Sequence, residues 1–471
     1  MTVIRPNSIS GVSSITGSGG DISIFRADGT PADVTVNNIT SGIITATHYG
    51  SGANLTNIPA GQLTGTVADA RLSTVSSSKL SGALPALDGS ALTGVGVGTA
   101  DSINTSGIIT ATAFVSDTPL SNRNIIVNGG CLVAQRGTSS NQLSDVGVYG
   151  SVDRFQMVGA NLDQLAMLQK QTSDGPDGFS KCFEFDVTTP ENALDANDLV
   201  YMRYLVEGQD LEPFFNANGT GKNFTLSFYV KAYQAGTYQL NIYKQDGPRF
   251  ITKTYTIASS GVWQRVVLNF TGDTNTSGMV QTTGSGFNIA WIFAAGTNYT
   301  SGSQSTNWGG WPGNAGFAAG HAVNSASSAN NYFRITGVQL ELGDIATPFE
   351  HRSVGDELRR CYRYFQRRTS SDNYQWVSLV AFYSGSEIHG FFDHYEPMRA
   401  SPTLSADTGS NTLAVQRAGG YIAWSTGIVK NGGNLNVTYF YRDGVSLGTS
   451  GQCGRVLTWT SGCTITLSAE L

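Results

Sequence analysis

Phe224-Thr225-Leu226-Ser227-Phe228-Tyr229-Val230-Lys231 decides the fold class. Phe224, Leu226, Phe228 and Val230 alternate with Thr225, Ser227 and Lys231, the period-two pattern of a strand with one face buried. Three further stretches share the texture: Tyr238-Gln239-Leu240-Asn241-Ile242-Tyr243-Lys244, Thr252-Lys253-Thr254-Tyr255-Thr256-Ile257 and Gln264-Arg265-Val266-Val267-Leu268-Asn269-Phe270. They recur at intervals of about 8 to 14 residues with Gly, Asn and Asp between them, which predicts antiparallel strands in a two-sheet sandwich or jelly roll. Composition agrees. The chain has 471 residues, 57 of them Gly and only 13% charged, which favours short strands and turns over long helices.

Outward from this block the chain divides into four parts: a repetitive segment over 1–120, a jelly-roll module over 121–350, a connecting helix over 351–370 and a β-sandwich over 371–471. The first segment has no Cys, Trp or Glu, and its aromatics are Phe25, Tyr49 and Phe114. Thr40-Ser41-Gly42-Ile43-Ile44-Thr45-Ala46-Thr47 recurs unchanged as Thr105-Ser106-Gly107-Ile108-Ile109-Thr110-Ala111-Thr112. A repeat with so little to bury gains a core by stacking or by winding with identical partners, so a trimeric shaft is expected, with a disordered tether as the alternative. The helix is read over Val354 to Gln366, where Leu358, Cys361, Tyr362 and Phe365 share a face and Asp356 and Glu357 sit in the first turn. Arg359, Arg360, Arg363, Arg367 and Arg368 read as a solvated face, with ion pairs to a neighbouring subunit as the alternative. Beyond it, Trp376-Val377-Ser378-Leu379-Val380, Asn436-Val437-Thr438-Tyr439-Phe440-Tyr441 and Cys463-Thr464-Ile465-Thr466-Leu467-Ser468 read as the strands of a small sandwich.

Charge and cysteine usage exclude several functions. A net charge of −6 gives no field to hold nucleic acid by releasing its counterions. No run of about 18 apolar residues exists, and Met1 to Gly20 is rich in Ser and Gly, so neither a membrane span nor a Sec leader is expected. Cys131, Cys182, Cys361, Cys453 and Cys463 have no zinc-type or redox-type spacing and read as thiols, with Cys453 and Cys463 the one arguable pair.

From Asn122 the residues resemble the tail-fibre proteins of tailed bacteriophages. The resemblance rests on Asn122-Arg123-Asn124-Ile125-Ile126-Val127-Asn128-Gly129-Gly130, Gln135-Arg136-Gly137, Val152-Asp153-Arg154-Phe155, Ile335-Thr336-Gly337-Val338-Gln339-Leu340-Glu341-Leu342-Gly343, Ala346-Thr347-Pro348-Phe349-Glu350 and Cys361-Tyr362-Arg363-Tyr364. In order and spacing these signatures cover 122–365, and the shaft repeats resemble those of cyanophage appendages in style. The resemblance implies an elongated, homotrimeric virion appendage made in the host cytoplasm, whose central block resembles the jelly roll of carbohydrate-binding modules. Other tail or baseplate proteins would hold its N-terminal segment. The far end would attach, without catalysis, to host surface polysaccharide or lipopolysaccharide. A structural head, neck or tail spacer fibre and a polysaccharide depolymerase are the alternatives.

Sugar recognition needs aromatic faces for pyranose C–H groups and amides for hydroxyls. Asn307, Trp308, Trp311 and Asn314, in a Gly-rich loop, are the candidate glycan-binding residues, whereas Trp263 and Trp291 lie in strand-like patterns and read as core. At the tip Tyr374, Trp376, His389, His394 and Tyr395 are the candidate receptor contacts. Asp393 and Glu396 read as structural instead of as a glycosidase pair. No cofactor or metal is expected, and Glu341 or Asp153 would be the carboxylate of a structural calcium if one were held.

Overall fold

The computed structural model describes residue 26, residues 28–31, and residues 121–471 apart from 277–281, 407–412, 418–419, 425–426 and 447. The repeats of 1–120, and the shaft and trimer read from them, lie outside the described residues. Residues 121–471 belong to one compact unit.

The chain is mostly β. Its first described strands are β1 (Ser139–Ser140), β2 (Phe155–Ala160), β3 (Ala166–Thr172), β4 (Cys182–Thr189), β5 (Leu199–Glu207), β6 (Phe224–Ala232), β7 (Gly236–Lys244), β8 (Arg249–Ile257), β9 (Gln264–Phe270), β10 (Ser285–Ala295) and β11 (Tyr332–Leu342), with a single turn of helix, α1 (Thr297–Thr300), after β10. They form two antiparallel sheets, ordered β1-β3-β4-β11-β6-β9 and β2-β5-β10-β7-β8, facing each other as a jelly-roll sandwich. The alternation dictates what lies between them. Phe224, Leu226, Phe228 and Val230 of β6 meet Phe287, Ile289, Trp291 and Phe293 of β10 in one core. Trp291 is fully buried, edge-on to Phe228 at 5.9 Å between ring centres.

The signature residues after Asn122 serve this sandwich. Asn124 Nδ2 donates to Val338 O at 3.0 Å while its Oδ1 accepts from Ile126 N and Leu340 N. Asn128, with φ of 62°, donates to Val133 O and Asp153 O and accepts from Val133 N. Side chain of Gly129 there is none for a reason: a Cβ would stand 2.1 Å from Val338 O.

The helix α2 (Val354–Tyr362) starts at Ser353, whose hydroxyl accepts from Asp356 N at 3.1 Å. It is shorter than the sequence periodicity predicts. Phe365 leaves the helix and opens β12 (Phe365–Thr369), because its backbone pairs with Ser468 and strand ladder replaces helix ladder. The arginine run is a solvated face only in part: Arg359 and Arg360 are exposed, whereas Arg363, Arg367 and Arg368 are half-buried. Arg363 makes a two-pronged pair with buried Glu207 at 2.8 and 2.9 Å, Arg359 pairs with Glu396, and Arg367 donates to Gln135 O.

The remaining strands are β13 (Trp376–Phe382), β14 (Glu387–Asp393), β15 (Thr403–Ala406), β16 (Leu413–Arg417), β17 (Gly420–Trp424), β18 (Val429–Gly433), β19 (Val437–Asp443), β20 (Cys453–Thr458) and β21 (Thr464–Ser468). A sheet ordered β12-β21-β15 packs on one ordered β17-β16-β20-β13-β14-β19-β18 around Phe382, Ile388, Phe392, Phe440, Val456, Ile465 and Leu467. Cys453 and Cys463 are not joined. Cys453 is an exposed thiol opposite Ala381 in the ladder, and Cys463 is buried in this core.

The two sandwiches are tied by buried charge. Glu470 receives Arg136 Nη2 at 3.1 Å and Arg154 Nη1, and the Arg154 guanidinium lies 3.5 Å from the Tyr364 ring centre. Arg154 is 1% exposed, so truncating its partner strands a charge in the interior. Glu470→Ala is expected to lower unfolding free energy by about 3–5 kcal/mol. Arg154→Met combined with Glu470→Leu is expected to recover part of that loss. Urea melts followed by tryptophan fluorescence check both, and equal losses in the single and double variants would remove the buried-charge account.

Candidate functional site

The outer face of the β2-β5-β10-β7-β8 sheet carries the residues that alternation turns away from the core. Across it Ala290 of β10 stands opposite Asn241 of β7 and Arg203 of β5, while Asn288 stands opposite Tyr243, which in turn faces Phe250 of β8. The segment from Gly296 to Gly320 folds over this face. Gln239 Nε2 and Asn241 Nδ2 both donate to Phe317 O, at 2.7 and 2.8 Å, and Gly320 N donates to Gln239 Oε1. On the β8 edge Phe250 and Gly309 exchange backbone hydrogen bonds of 2.8 and 3.0 Å. Two amides and a strand edge thus fix a loop that has little regular structure of its own.

Between loop and sheet lies a cleft of about 410 Å³ bordered by Tyr201, Tyr243, Phe250, Asn288, Trp311 and Phe317. Trp311 is 47% exposed and meets Phe250 and Tyr243 nearly edge-on, with ring centres 5.3 and 5.8 Å away. Beneath it, Ala290, Ile292 and Ala318 form an apolar floor with Tyr201 and Phe317 against them. Asn288 Oδ1 is buried and accepts no hydrogen bond, an orphan acceptor on the cleft wall. Burial raises the Tyr201 phenol above its ordinary range, which keeps it protonated and a donor at neutral pH. The bordering residues include no carboxylate. Flat rings, amides and the phenol hydroxyls of Tyr201 and Tyr243 suit a polar ligand with apolar C–H faces.

The two loop tryptophans have opposite surroundings. Trp311 reaches the cleft, whereas Trp308 packs against the main core, 6.1 Å from Phe287, and its indole N–H donates to Thr271 O at 2.7 Å. Asn307 and Asn314 are exposed and do not border the cleft; Asn314 O caps the turn by accepting from Phe317 N. Tyr201, Tyr243, Phe250, Asn288 and Phe317 were not singled out from sequence. Their available signal was the outward half of each strand's alternation, where Tyr243 and Phe250 place aromatics at positions that composition alone assigns to solvent.

The tip candidates are dispersed. Tyr374 and Trp376 are exposed at the start of β13, and Trp376 shares a hollow of about 280 Å³ with Tyr395, Arg367 and Arg368. Tyr395 also lies under the Arg368 guanidinium at 4.5 Å. His389 is on the outer face of β14, with Nε2 2.6 Å from Glu387 Oε1. His394 has both ring nitrogens engaged, by Leu435 O and Thr438 Oγ1, and burial lowers its pKa. Glu341 accepts from Gln339 Nε2, Thr347 N and Thr347 Oγ1, and Asp153 accepts from Gln135 with its pKa raised to about 6, chiefly by burial. Among the described residues no three His, Cys, Asp or Glu side chains gather as a metal site. Nor is any described helix long and apolar enough to cross a membrane.

No protein-family model matches the chain, and no curated protein matches it. Solved structures similar to it include the enzymatically active domain of tailspike protein 4 of bacteriophage CBA120, at 12% identity and a TM-score of 0.24, over 47% of this chain and 21% of that one. The chain thus spans about a fifth of the tailspike chain. The module TmCBM61, solved with β-1,4-galactotriose, is similar at 11% identity and a TM-score of 0.23, over 47% of this chain and 100% of its own. The family 11 carbohydrate-binding module of Clostridium thermocellum, solved with a mixed-linked tetrasaccharide, gives 10% identity and a TM-score of 0.24, over 45% and 99%.

The differing surroundings of the loop tryptophans predict differing stability effects. Trp308→Ala is expected to cost about 3 kcal/mol, through lost packing and an unpaired Thr271 carbonyl. Trp311→Ala is expected to cost about 1 kcal/mol or less. Paired urea titrations of the two variants measure the gap, and equal midpoints would contradict the assignment.

Proposed function

We propose that this chain is a non-catalytic tail-fibre adhesin that attaches a virion to host surface glycan, and that the outer-face cleft of the first sandwich takes the sugar. The observation that carries the proposal is the orphan Asn288 Oδ1 beside the Trp311, Tyr243 and Phe250 rings. A pyranose hydroxyl satisfies the acceptor while ring C–H groups lie on the indole. The absence of acidic groups among the bordering residues supports binding without glycosidic cleavage, which requires paired carboxylates. The phage part of the reading is supported by the sequence signatures over 122–365 and by the repeats of 1–120. A cleft this open to water holds a single sugar weakly, with Kd of order 0.1–1 mM, or about −4 to −5.5 kcal/mol. Homotrimer formation and several fibres per particle raise effective concentration enough to offset that.

Calorimetric titration of the full chain against neutral oligosaccharides, selected on a glycan array, tests the reading. Trp311→Ala and Asn288→Ala are each expected to weaken binding about tenfold or more while lowering the melting temperature by no more than a few degrees. Affinity is expected to be flat from pH 5 to 8, because no carboxylate, His, Lys or Arg borders the cleft and phenols ordinarily titrate near pH 10. Retained affinity in both variants would move the site elsewhere. A chain that binds no glycan on the array would leave a structural appendage in its place, and one that sediments as a 49.8 kDa monomer would remove the trimeric shaft from either reading.

A further inference from the structure

The tip carries a second groove whose chemistry differs from the first. It lies on the outer face of the seven-stranded sheet, holds about 480 Å³, and is bordered by Trp376, Leu379, Gln416, Arg417 and Arg455. Register builds it: Leu379 of β13, Arg455 of β20 and Gln416 of β16 stand side by side across three strands. Trp376 is 69% exposed, and the Arg455 guanidinium sits 4.1 Å from its ring centre. Arg455 Nε donates to Gln416 Oε1 at 3.0 Å, which orients the guanidinium and leaves its two terminal nitrogens for other acceptors. Arg417 Nη1 is held by Gln452 Oε1. Among the described residues neither arginine has a carboxylate within ion-pair distance, in contrast to Arg136, Arg154, Arg334, Arg352, Arg359 and Arg363.

In a chain of net charge −6, this groove gathers two guanidinium groups without carboxylate partners, one of them stacked on an exposed indole, chemistry that suits an anion with a flat apolar face. We infer that this groove binds an acidic saccharide, one bearing a carboxylate or sulfate on a pyranose ring. The anionic group takes the free edge of Arg455 and the charge of Arg417, and the sugar's C–H face lies against Trp376. Single-stranded nucleic acid offers a similar pairing of anion and flat face. It fits less well, because one indole and two arginines fall short of a groove that tracks about 4–16 nucleotides.

The test titrates the full chain with tetragalacturonate, a heparin-derived tetrasaccharide, neutral galactotetraose and a ten-nucleotide oligo-dT. At least one acidic oligosaccharide is expected to bind, with affinity falling as salt rises from 0.05 to 0.5 M. Trp376→Ala and Arg455→Ala are each expected to lower that affinity about tenfold. Arg455→Lys, which keeps charge and loses the fork, is expected to fall between, and thermal melts check that each variant folds. Trp311→Ala is expected to leave acidic-saccharide binding untouched, so this site and the neutral cleft stand or fall separately. The inference is overturned if neither acidic probe binds, if galactotetraose competes equally for this groove, if oligo-dT binds tighter than both, or if the Trp376 and Arg455 variants retain full affinity.

Discussion

Burial of the Arg154 guanidinium is the constraint around which the two sandwiches are arranged. A charge that deep is tolerated only where acceptors and a ring face surround it, and these come from distant parts of the chain: Glu470, Leu205 O and Tyr364. Glu470 follows directly on β21, the middle strand of the three-stranded sheet, so neutralising Arg154 positions that sheet against the first sandwich. Arg399 adds a second bridge, donating to Thr283 O on one side and to Ala469 O and Glu470 O on the other. The helix α2 between the sandwiches is held from both: Glu357 accepts from Asn128 N, and Arg359 reaches Glu396.

Each groove is then a by-product of sheet register combined with a local clasp. In the first sandwich the clasp is the pair of amides that grip Phe317 O, and it keeps the Trp311 loop against strands that would otherwise be solvated. In the second sandwich Gln416 does the equivalent for Arg455. Both arrangements hold the bordering side chains in place, and groups fixed in advance lower the ordering cost of an association. They differ in charge, one neutral and one cationic, although both rest on the outward residues of antiparallel strands.

Period-two alternation made the sandwich legible in sequence, since Phe224, Leu226, Phe228 and Val230, like Val266, Leu268 and Phe270, point inward as their spacing dictates. The end of α2 was not legible. Phe365 satisfies helical spacing equally well, and only pairing with Ser468, far along the chain, assigns it to a strand. The candidate site was half legible for a similar reason. Trp308 and Trp311 share one Gly-rich loop, yet a single carbonyl at Thr271 draws one indole inward. Tyr243 and Asn288 become neighbours only through the β7–β10 register, which no local pattern encodes. The arginine run after Asp356 looked like a solvated surface because its acceptors, Glu207 and Gln135 O, belong to the other sandwich.

The cysteines, which carry no role in the fold's cross-linking, acquire one as reporters. Cys131, Cys182, Cys361 and Cys463 are buried, and burial raises the thiols of Cys131, Cys182 and Cys361 well away from the reactive thiolate range. Cys453 alone among the five is exposed, and it borders the groove that holds Trp376 and Arg455. The unmodified chain therefore presents one maleimide-accessible sulfur at the rim of the groove on its second sandwich, a ready attachment point for an environment-sensitive fluorophore.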